Sequence, residues 1–350
     1  MSYDVVDADL QADRQTLLDF WKAHHATPLD RKFSWIYQAN PYGSARVVLL
    51  IHRQTERCVG TTALFPRTVY LGDRPLNAAV VGDLLLAPEH RTLGPAIMLQ
   101  KAAVARVGEG GFDLAYTFPN KAAEPVIKRA GYTRVGTIHR FVRVLRSEPI
   151  LRRRGWPGPL AAGAGAVADL GLRLVQPRQR DPARDGFRVE PLHEFGAEFE
   201  IVWRARRTTF GVTPDHSGVY MDWKFFHDPD ARHEALALRY AETDALRACA
   251  VYTWEHDSIA VRDLVPGPDP MTCKSLVRAL YRFARLNRAT SLLMQCLDGS
   301  PLADELRRCG FSRARPDRNA YVHVASGIGA DARTIIDPAQ WLLMKSDEDT

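Results

Sequence analysis

From Val81 to Ala96 the chain reads VGDLLLAPEHRTLGPA. An apolar strand ends at Pro88, a short loop carries Arg91, Gly94 and Ala96 at R-x-x-G-x-A spacing, and a helix starts at once. This arrangement suits capture of an anion. The first turn of a helix leaves backbone N–H groups without acceptors, and the helix dipole favours negative charge there. Gly94 lets the backbone approach a phosphate closely. Ala96 is small enough for the helix to sit tight under a ligand, and Arg91 either complements the phosphate charge or turns to solvent. Pro95 suits the first helical position but removes one donor from the cradle. The His24–His25 pair with Asp30 has no second ligand pair at fitting spacing nearby, so no metal site is expected. His90 reads as loop surface.

The elements that must position this loop follow from periodicity and breakers. Residues 9–25 read as a helix, with Leu10, Leu17, Leu18 and Trp21 at helical spacing. Residues 45–51, 58–65, 68–71 and 77–86 read as strands, the last apolar enough to be central. A helix over 95–108, a buried strand over 113–118, a helix over 121–130 stopped by Gly131 and a closing strand over 135–145 complete the unit. The same plan then recurs. FSWIYQANP around Trp35 parallels MDWKFFHDP around Trp223, and Phe20-Trp21-Lys22 parallels Val202-Trp203-Arg204. Asp83-Leu84-Leu85 parallels Asp263-Leu264-Val265, and KRAGY ending at Tyr132 parallels RRCGF ending at Phe311. The matches keep their order, at offsets from 179 (Lys128 to Arg307) to 188 (Trp35 to Trp223). The expectation is a layered α/β (α+β) fold of two copies, each a mixed, mostly antiparallel twisted sheet flanked by helices. The boundaries read as residues 1–147, a linker over 148–186, and a second, degenerate copy with a tail over 187–350. The linker carries Pro149, Pro157, Pro159, Pro177 and Pro182 and one helix over 160–174.

Composition narrows the classes. The chain has 350 residues, 25% charged and 46% hydrophobic, with a net charge of +6; that is enough for two cores. Its basic residues are scattered, with no aromatic-interleaved platform, so nucleic acid is not an expected partner. Five cysteines, an odd number without a CxxC pair, argue against disulfides and for a reducing, cytoplasmic setting. The start is acidic and polar, unlike a signal peptide. Residues 156–175 are weakly apolar, but they hold Asp169 and Arg173 and follow the cluster Arg152–Arg154. That is too polar to span a bilayer. It fits a helix packed between domains or a weak membrane-surface contact over 152–175. The tail, WLLMKSDEDT, is expected to dock Trp341 and strap over the surface.

The loop resembles motif A of the GNAT superfamily, the acyl-CoA N-acyltransferases, whose signature is Arg/Gln-x-x-Gly-x-Gly/Ala. A second element agrees: Asn120-Lys-Ala-Ala123, followed by Gly131-Tyr132, is similar to the family's Asn-x-x-Ala…Gly-Phe/Tyr pattern. The resemblance covers residues 33–146 and extends more loosely to 200–325, as in tandem GNAT proteins. It implies that Leu84, Leu85 and Leu86 face the pantetheine arm of acetyl-CoA or another acyl-CoA. It places the pyrophosphate against Arg91, Thr92, Leu93, Gly94, Pro95 and Ala96, and puts Asn120 near the thiol end. The family often carries a tyrosine seven residues after that asparagine, as acid for the departing thiolate; here the position is Ile127. The second copy has GPDPMTC, from Gly267 to Cys273, where the loop should be. Two prolines and Asp269 oppose anion binding there, so one coenzyme site, in the first copy, is expected.

The implied reaction is attack of a neutral amine on a thioester, driven by positioning, by amides near the thioester oxygen and by a base. Asp83 is the first candidate base, although its counterpart Asp263 equally suggests a structural hydrogen bond kept in both copies. Glu89 is the second. Tyr116 touches the acceptor or the thiol, or else fills the core. Trp35 and Trp223 read as core or as walls of an acceptor cleft, which Asp222, His227 and Asp228 would reach from the second copy. Acetyl is the commonest acyl group in the family; an amino sugar, an amino acid or another small amine would accept it, in a monomer or a homodimer. The competing readings are a regulatory module that binds coenzyme A without turnover, and transfer from a non-CoA donor such as aminoacyl-tRNA.

Overall fold

The polar start of the chain conceals an edge strand, Tyr3–Asp7 (β1), antiparallel to Arg46–His52 (β2). This computed structural model describes residues 2–24, 30–108, 111–175, 181–266 and 269–348. His25, Pro177, Gly267 and Pro268, used in the sequence reading, lie outside them. Between β1 and β2, helix Arg14–His24 (α1) buries Leu17, Leu18, Phe20 and Trp21, one apolar face. The strands expected over 58–65 and 68–71 are a single strand, Arg57–Leu71 (β3), which contains Pro66 opposite Ala79 of Arg74–Leu86 (β4). β2 ends its pairing at Leu64, so Pro66 breaks no ladder on that side. Leu93–Val104 (α2), Leu114–Thr117 (β5), Glu124–Arg129 (α3) and Thr133–Val144 (β6) follow. α2 begins two residues earlier than expected, placing Leu93 at the first position and Pro95 at the third.

Two helices, Glu148–Arg153 (α4) and Gly158–Val175 (α5), then pack on each other. The second half repeats the first, element for element: Phe187–Leu192 (β7), Ala197–Arg207 (α6), a short added strand Val212–Pro214 (β8), Glu234–Tyr240 (β9), Leu246–Glu255 (β10), Ser258–Val265 (β11), Pro270–Leu286 (α7), Ser291–Leu297 (β12), Pro301–Arg308 (α8) and Ser312–Val324 (β13). The two tryptophan segments share an unusual local form, the π-helical turns Phe33–Gln38 and Asp222–Phe226. They meet reciprocally. Trp35 Nε1 donates to the Trp223 carbonyl at 2.9 Å, and Trp223 Nε1 donates to the Trp35 carbonyl at 3.2 Å.

Among the described residues, all thirteen strands form one sheet, in the order β1-β2-β3-β4-β5-β13-β6-β12-β11-β10-β9-β7, with β8 paired to β3. Only the β4–β5 and β11–β12 pairs among these are parallel. The order reveals an exchange: the closing strand of each half lies against the other half. β13 pairs with β5, β6 pairs with β12, and the two exchanged strands pair with each other. Side chains follow their strands. Ala320, Tyr321 and Val322 of β13 are buried in the core around α1 and α2, and Phe141 of β6 in the core around α7.

The tail is not a surface strap. Leu342, Leu343, Met344, Asp347 and Glu348 are all buried. β11 and β12 pair only from Ile259–Val261 to Leu292–Met294 and then diverge. The tail fills that wedge: Leu297 N donates to the Leu343 carbonyl at 3.0 Å, and Met344 bridges to Cys296. Apolar burial and the unpaired strand edge of β12 together pull the segment inside. Among the described residues, no helix is long and apolar enough to cross a membrane.

Candidate active site

β4 and β5 run parallel and pair only from Ala78–Val80 to Leu114–Tyr116. Beyond Val80, β4 continues to Leu86 on β3 alone, while β5 stops at Thr117. A register shift opposite Thr61 and Ala63 marks a bulge in which Asp83 adopts φ +48°. Such a bulge re-aims side chains and ends pairing. At the split, Thr117 Oγ1 donates to the Val81 carbonyl at 2.7 Å. The opening holds a cavity of about 260 Å³. Asp83, Leu84 and Leu85 line one side, Thr117 and Asn120 the other, with Trp21 and Ile127 completing the walls.

At the far end of β4 lies the loop. Pro88–His90 forms a tight turn, and Thr92 begins α2 without a side-chain cap. Thr92 N donates to the His90 carbonyl at 2.7 Å. Leu93 and Gly94, the first two helical residues, have no intrahelical acceptor by helix geometry, and Pro95 has no N–H. A Cβ added to Gly94 would meet nothing within 4 Å, so packing does not require this glycine and the space above it is open. Arg91 Nε donates to the Leu86 carbonyl at 2.9 Å, pinning the strand-to-helix corner. His90 is not simple loop surface: its Nδ1 lies 2.8 Å from the Tyr3 hydroxyl.

The sequence candidates separate by placement. Asp83 is half-buried and accepts a hydrogen bond from the Tyr37 hydroxyl. Tyr37 is fixed by Phe33, stacked at 5.4 Å, and by Trp21 at 4.8 Å. Leu84, Leu85 and Asn120 also line the cavity; Asn120 Oδ1 accepts from Ala122 N and Ala123 N at 3.0 and 2.9 Å, shaping the turn into α3. Leu86 is buried outside the lining, against Gly60, where any Cβ would come within 2.5 Å of it. Ala96 is buried beneath the loop. Glu89 is exposed on the turn, away from the cavity. Tyr116 is placed away from it too. Successive strand residues face opposite ways, so Thr117 points in while Tyr116 packs against Phe118 and Trp341.

Asp222, His227 and Asp228 do not line the cavity; Asp228 lies 3.2 Å from His233 instead. The second half contributes Arg318, carried in on the exchanged strand β13. Asp83 and Arg318 are the ionisable groups among the described lining residues. Sequence reasoning missed Arg318, Thr117, Trp21 and Tyr37. The last two lie in the aromatic segments already singled out as repeats, whereas nothing local marks Arg318. Among the described residues, no three His, Cys, Asp or Glu side chains are grouped to hold a metal.

In the second half the tail enters the split between β11 and β12, and a cavity of about 310 Å³ remains beside it, lined by Asp269, Cys273, Leu302 and Leu342. Asp263 is fully buried, with its Oδ2 at 3.2 Å from His216 Nε2, which lies 3.2 Å from Asp347 Oδ1 of the tail. Arg67 of β3 reaches the same Asp347 oxygen at 3.1 Å. Burial pushes the Asp347 carboxyl up, but His216 and Arg67 outweigh it and hold the group below the usual carboxylate range. At the start of α7, Asp269 accepts from Thr272 N at 2.8 Å, so a carboxylate of the chain itself occupies the anion position.

Comparison with known proteins agrees with this geometry. Residues 12–135 match the family model of the acetyltransferase (GNAT) domain. No curated protein matches the chain in sequence. Among solved structures, a probable N-acyltransferase of unknown function from Enterococcus faecalis V583 aligns with a TM-score of 0.67 at 10% identity, over 93% of this chain and 73% of that one. A GCN5-related N-acetyltransferase from Anabaena variabilis gives 0.64 at 13% identity, over 92% and 72%. One from Kribbella flavida gives 0.53 at 16% identity, also over 92% and 72%. At these identities the likeness is one of fold. The match extends across both halves, while the family model falls on the half with the open cleft. The family match thus falls on residues 12–135, which match an acetyltransferase (GNAT) domain, and the solved structures show a shared fold across both halves.

Proposed function

We propose that the protein transfers an acyl group, most simply acetyl, from acyl-CoA to a primary amine within a ternary complex, holding the coenzyme in the first half alone. The observation that carries this reading is the split between β4 and β5, with a cavity in the opening and an uncapped helix start beside it. The pantetheine arm would lie along the free edge of β4 at Leu84, Leu85 and Leu86, replacing the ladder that β5 no longer provides. The pyrophosphate would meet the Leu93 and Gly94 amides, with Arg91 beside them. Asp83 would take a proton from the attacking ammonium, its carboxylate held by Tyr37. The neutral amine nitrogen then bonds to the thioester carbon, the C–S bond breaks, the thiolate leaves, and the excess proton on nitrogen passes to water to give the neutral amide. Ile127 lines the cavity where the family often has a tyrosine, so α3 supplies no acid. Arg318 supplies positive charge instead. The acceptor is a small amine, with amino sugars and amino acids as the classes to try first.

Ile127 also favours a second reading, a module that binds the coenzyme without turnover. Thiol release from acetyl-CoA across an amine library, beside calorimetric CoA binding, separates the two. Release with any amine, abolished together with CoA binding in Gly94→Trp at unchanged melting temperature, supports transfer. Tight binding without release supports the module. No CoA binding by the wild-type protein overturns both.

A further inference from the structure

Helix α5 is built inside out for a protein surface. Its inward side holds Ala161, Gly165 and the polar Asp169. Gly165 meets the α4 backbone so closely that a Cβ would lie 2.8 Å from Glu148 Cα. Asp169 Oδ1 accepts from Ser147 N at 2.7 Å, which satisfies the one acidic group of the helix internally. Every exposed residue described in α5 is Pro, Leu, Ala, Gly or Val. Leu160, Val167, Leu170 and Leu174 are 61%, 73%, 58% and 78% exposed, and Trp156, just before the helix, is 46% exposed. Their spacing follows the helical repeat, so they form one stripe rather than scattered single contacts.

The near end of this stripe is basic. Arg152, Arg153 and Arg154 are exposed, and Arg152 Nη2 lies 3.7 Å from where a Cβ on Gly158 would stand, at the first turn of α5. Arg146 donates to the Arg288 carbonyl at 3.0 Å, which brings a further exposed arginine pair to the base of α4. Glu148 pairs with Arg152 and Asp257 with Arg153, so of these cations the ones without an acidic partner among the described residues are Arg146, Arg154 and Arg288.

We propose that α5 docks this protein on an anionic membrane surface, the apolar stripe entering the headgroup boundary and the arginines meeting lipid phosphates. An apolar helix face beside cationic side chains is the pairing that interfacial attachment requires. The dimensions favour a bilayer over a second copy of the chain. Eighteen residues give a face about 27 Å long and about 10 Å wide, far below the roughly 800 Å² per partner of a stable protein pair. A bilayer needs no complementary surface.

Sedimentation of the full chain with phosphatidylglycerol/phosphatidylcholine vesicles tests this. Binding is expected to the mixed vesicles, at least about tenfold weaker to phosphatidylcholine alone, and reduced by salt. Val167→Glu with Leu170→Glu, at exposed positions that leave packing intact, should weaken it about tenfold or more at unchanged melting temperature. No binding to anionic vesicles, or binding indifferent to the double substitution, overturns the proposal. So does a lipid-free dimer that the double substitution dissociates, since the stripe would then be covered by a second copy. None of these results depends on the acyl-transfer reading.

Discussion

The two halves of this molecule share a backbone plan and differ in what stands in the cleft. In the first, β4 and β5 part over a cavity, Asp83 is half-buried, and α2 begins at Thr92 with no cap. In the second, β11 and β12 part over the chain's own tail, Asp263 is fully buried, and α7 begins with Asp269 capping it. Both halves carry the split strands and the aspartate, but in different surroundings. On the proposed reading, the split holds coenzyme only where it stays open and the next helix keeps its N–H groups free. Where a carboxylate caps the helix and apolar side chains fill the split, the same geometry becomes core.

The comparison can be tested from its strongest contrast downward. Replacing Asp347 with alanine leaves His216 and Arg67 buried without their shared carboxylate, and should destabilise the fold by about 3–5 kcal/mol in denaturant titration; a loss below about 1 kcal/mol would show that the tail plug is dispensable. Because Asp347 has its folded pKa depressed, its contribution is present above the unfolded value of about 3.9 and is lost as pH falls through the lower folded value. Asp347→Asn should flatten that acid limb. Next, Asp83→Asn should lower kcat by about 100-fold or more with CoA affinity kept, whereas Asp263→Asn should change stability and leave kcat alone. Equal kinetic effects from the two would erase the distinction between the halves. The smallest effect concerns what they share: Trp35→Phe and Trp223→Phe each remove one reciprocal hydrogen bond, and each should cost about 1 kcal/mol. A large inequality between them would show that the tryptophan pair is not a symmetric joint.

The parts of this arrangement that were legible in the sequence are local ones. The Arg91–Ala96 loop, the Asn120 turn and the duplicated tryptophan segments each declare themselves within a few residues. Placement of side chains was less legible where it hinges on parity. Tyr116 and Thr117 are neighbours on an apolar strand, and a shift of one residue decides which meets the cavity. The strand exchange left no local mark, because the partners of β6 and β13 are set by pairing between segments far apart in the chain. The tail misled for an electrostatic reason. Asp347 and Glu348 read as solvent-facing, yet Arg67, His216 and Lys224, distant in the chain, converge on them.

The exchange of β6 and β13 also bears on how the chain reaches this state. Val144 must wait for Ser291 before its ladder can form, and Leu114 must wait for Val324. Loops that long close slowly and at an entropic cost. Neither half can complete its sheet while the other is missing, so the two should condense in one late cooperative step. A ribosome would have to deliver β13 before the wall carrying Arg318 exists, and until then the cleft is open on that side.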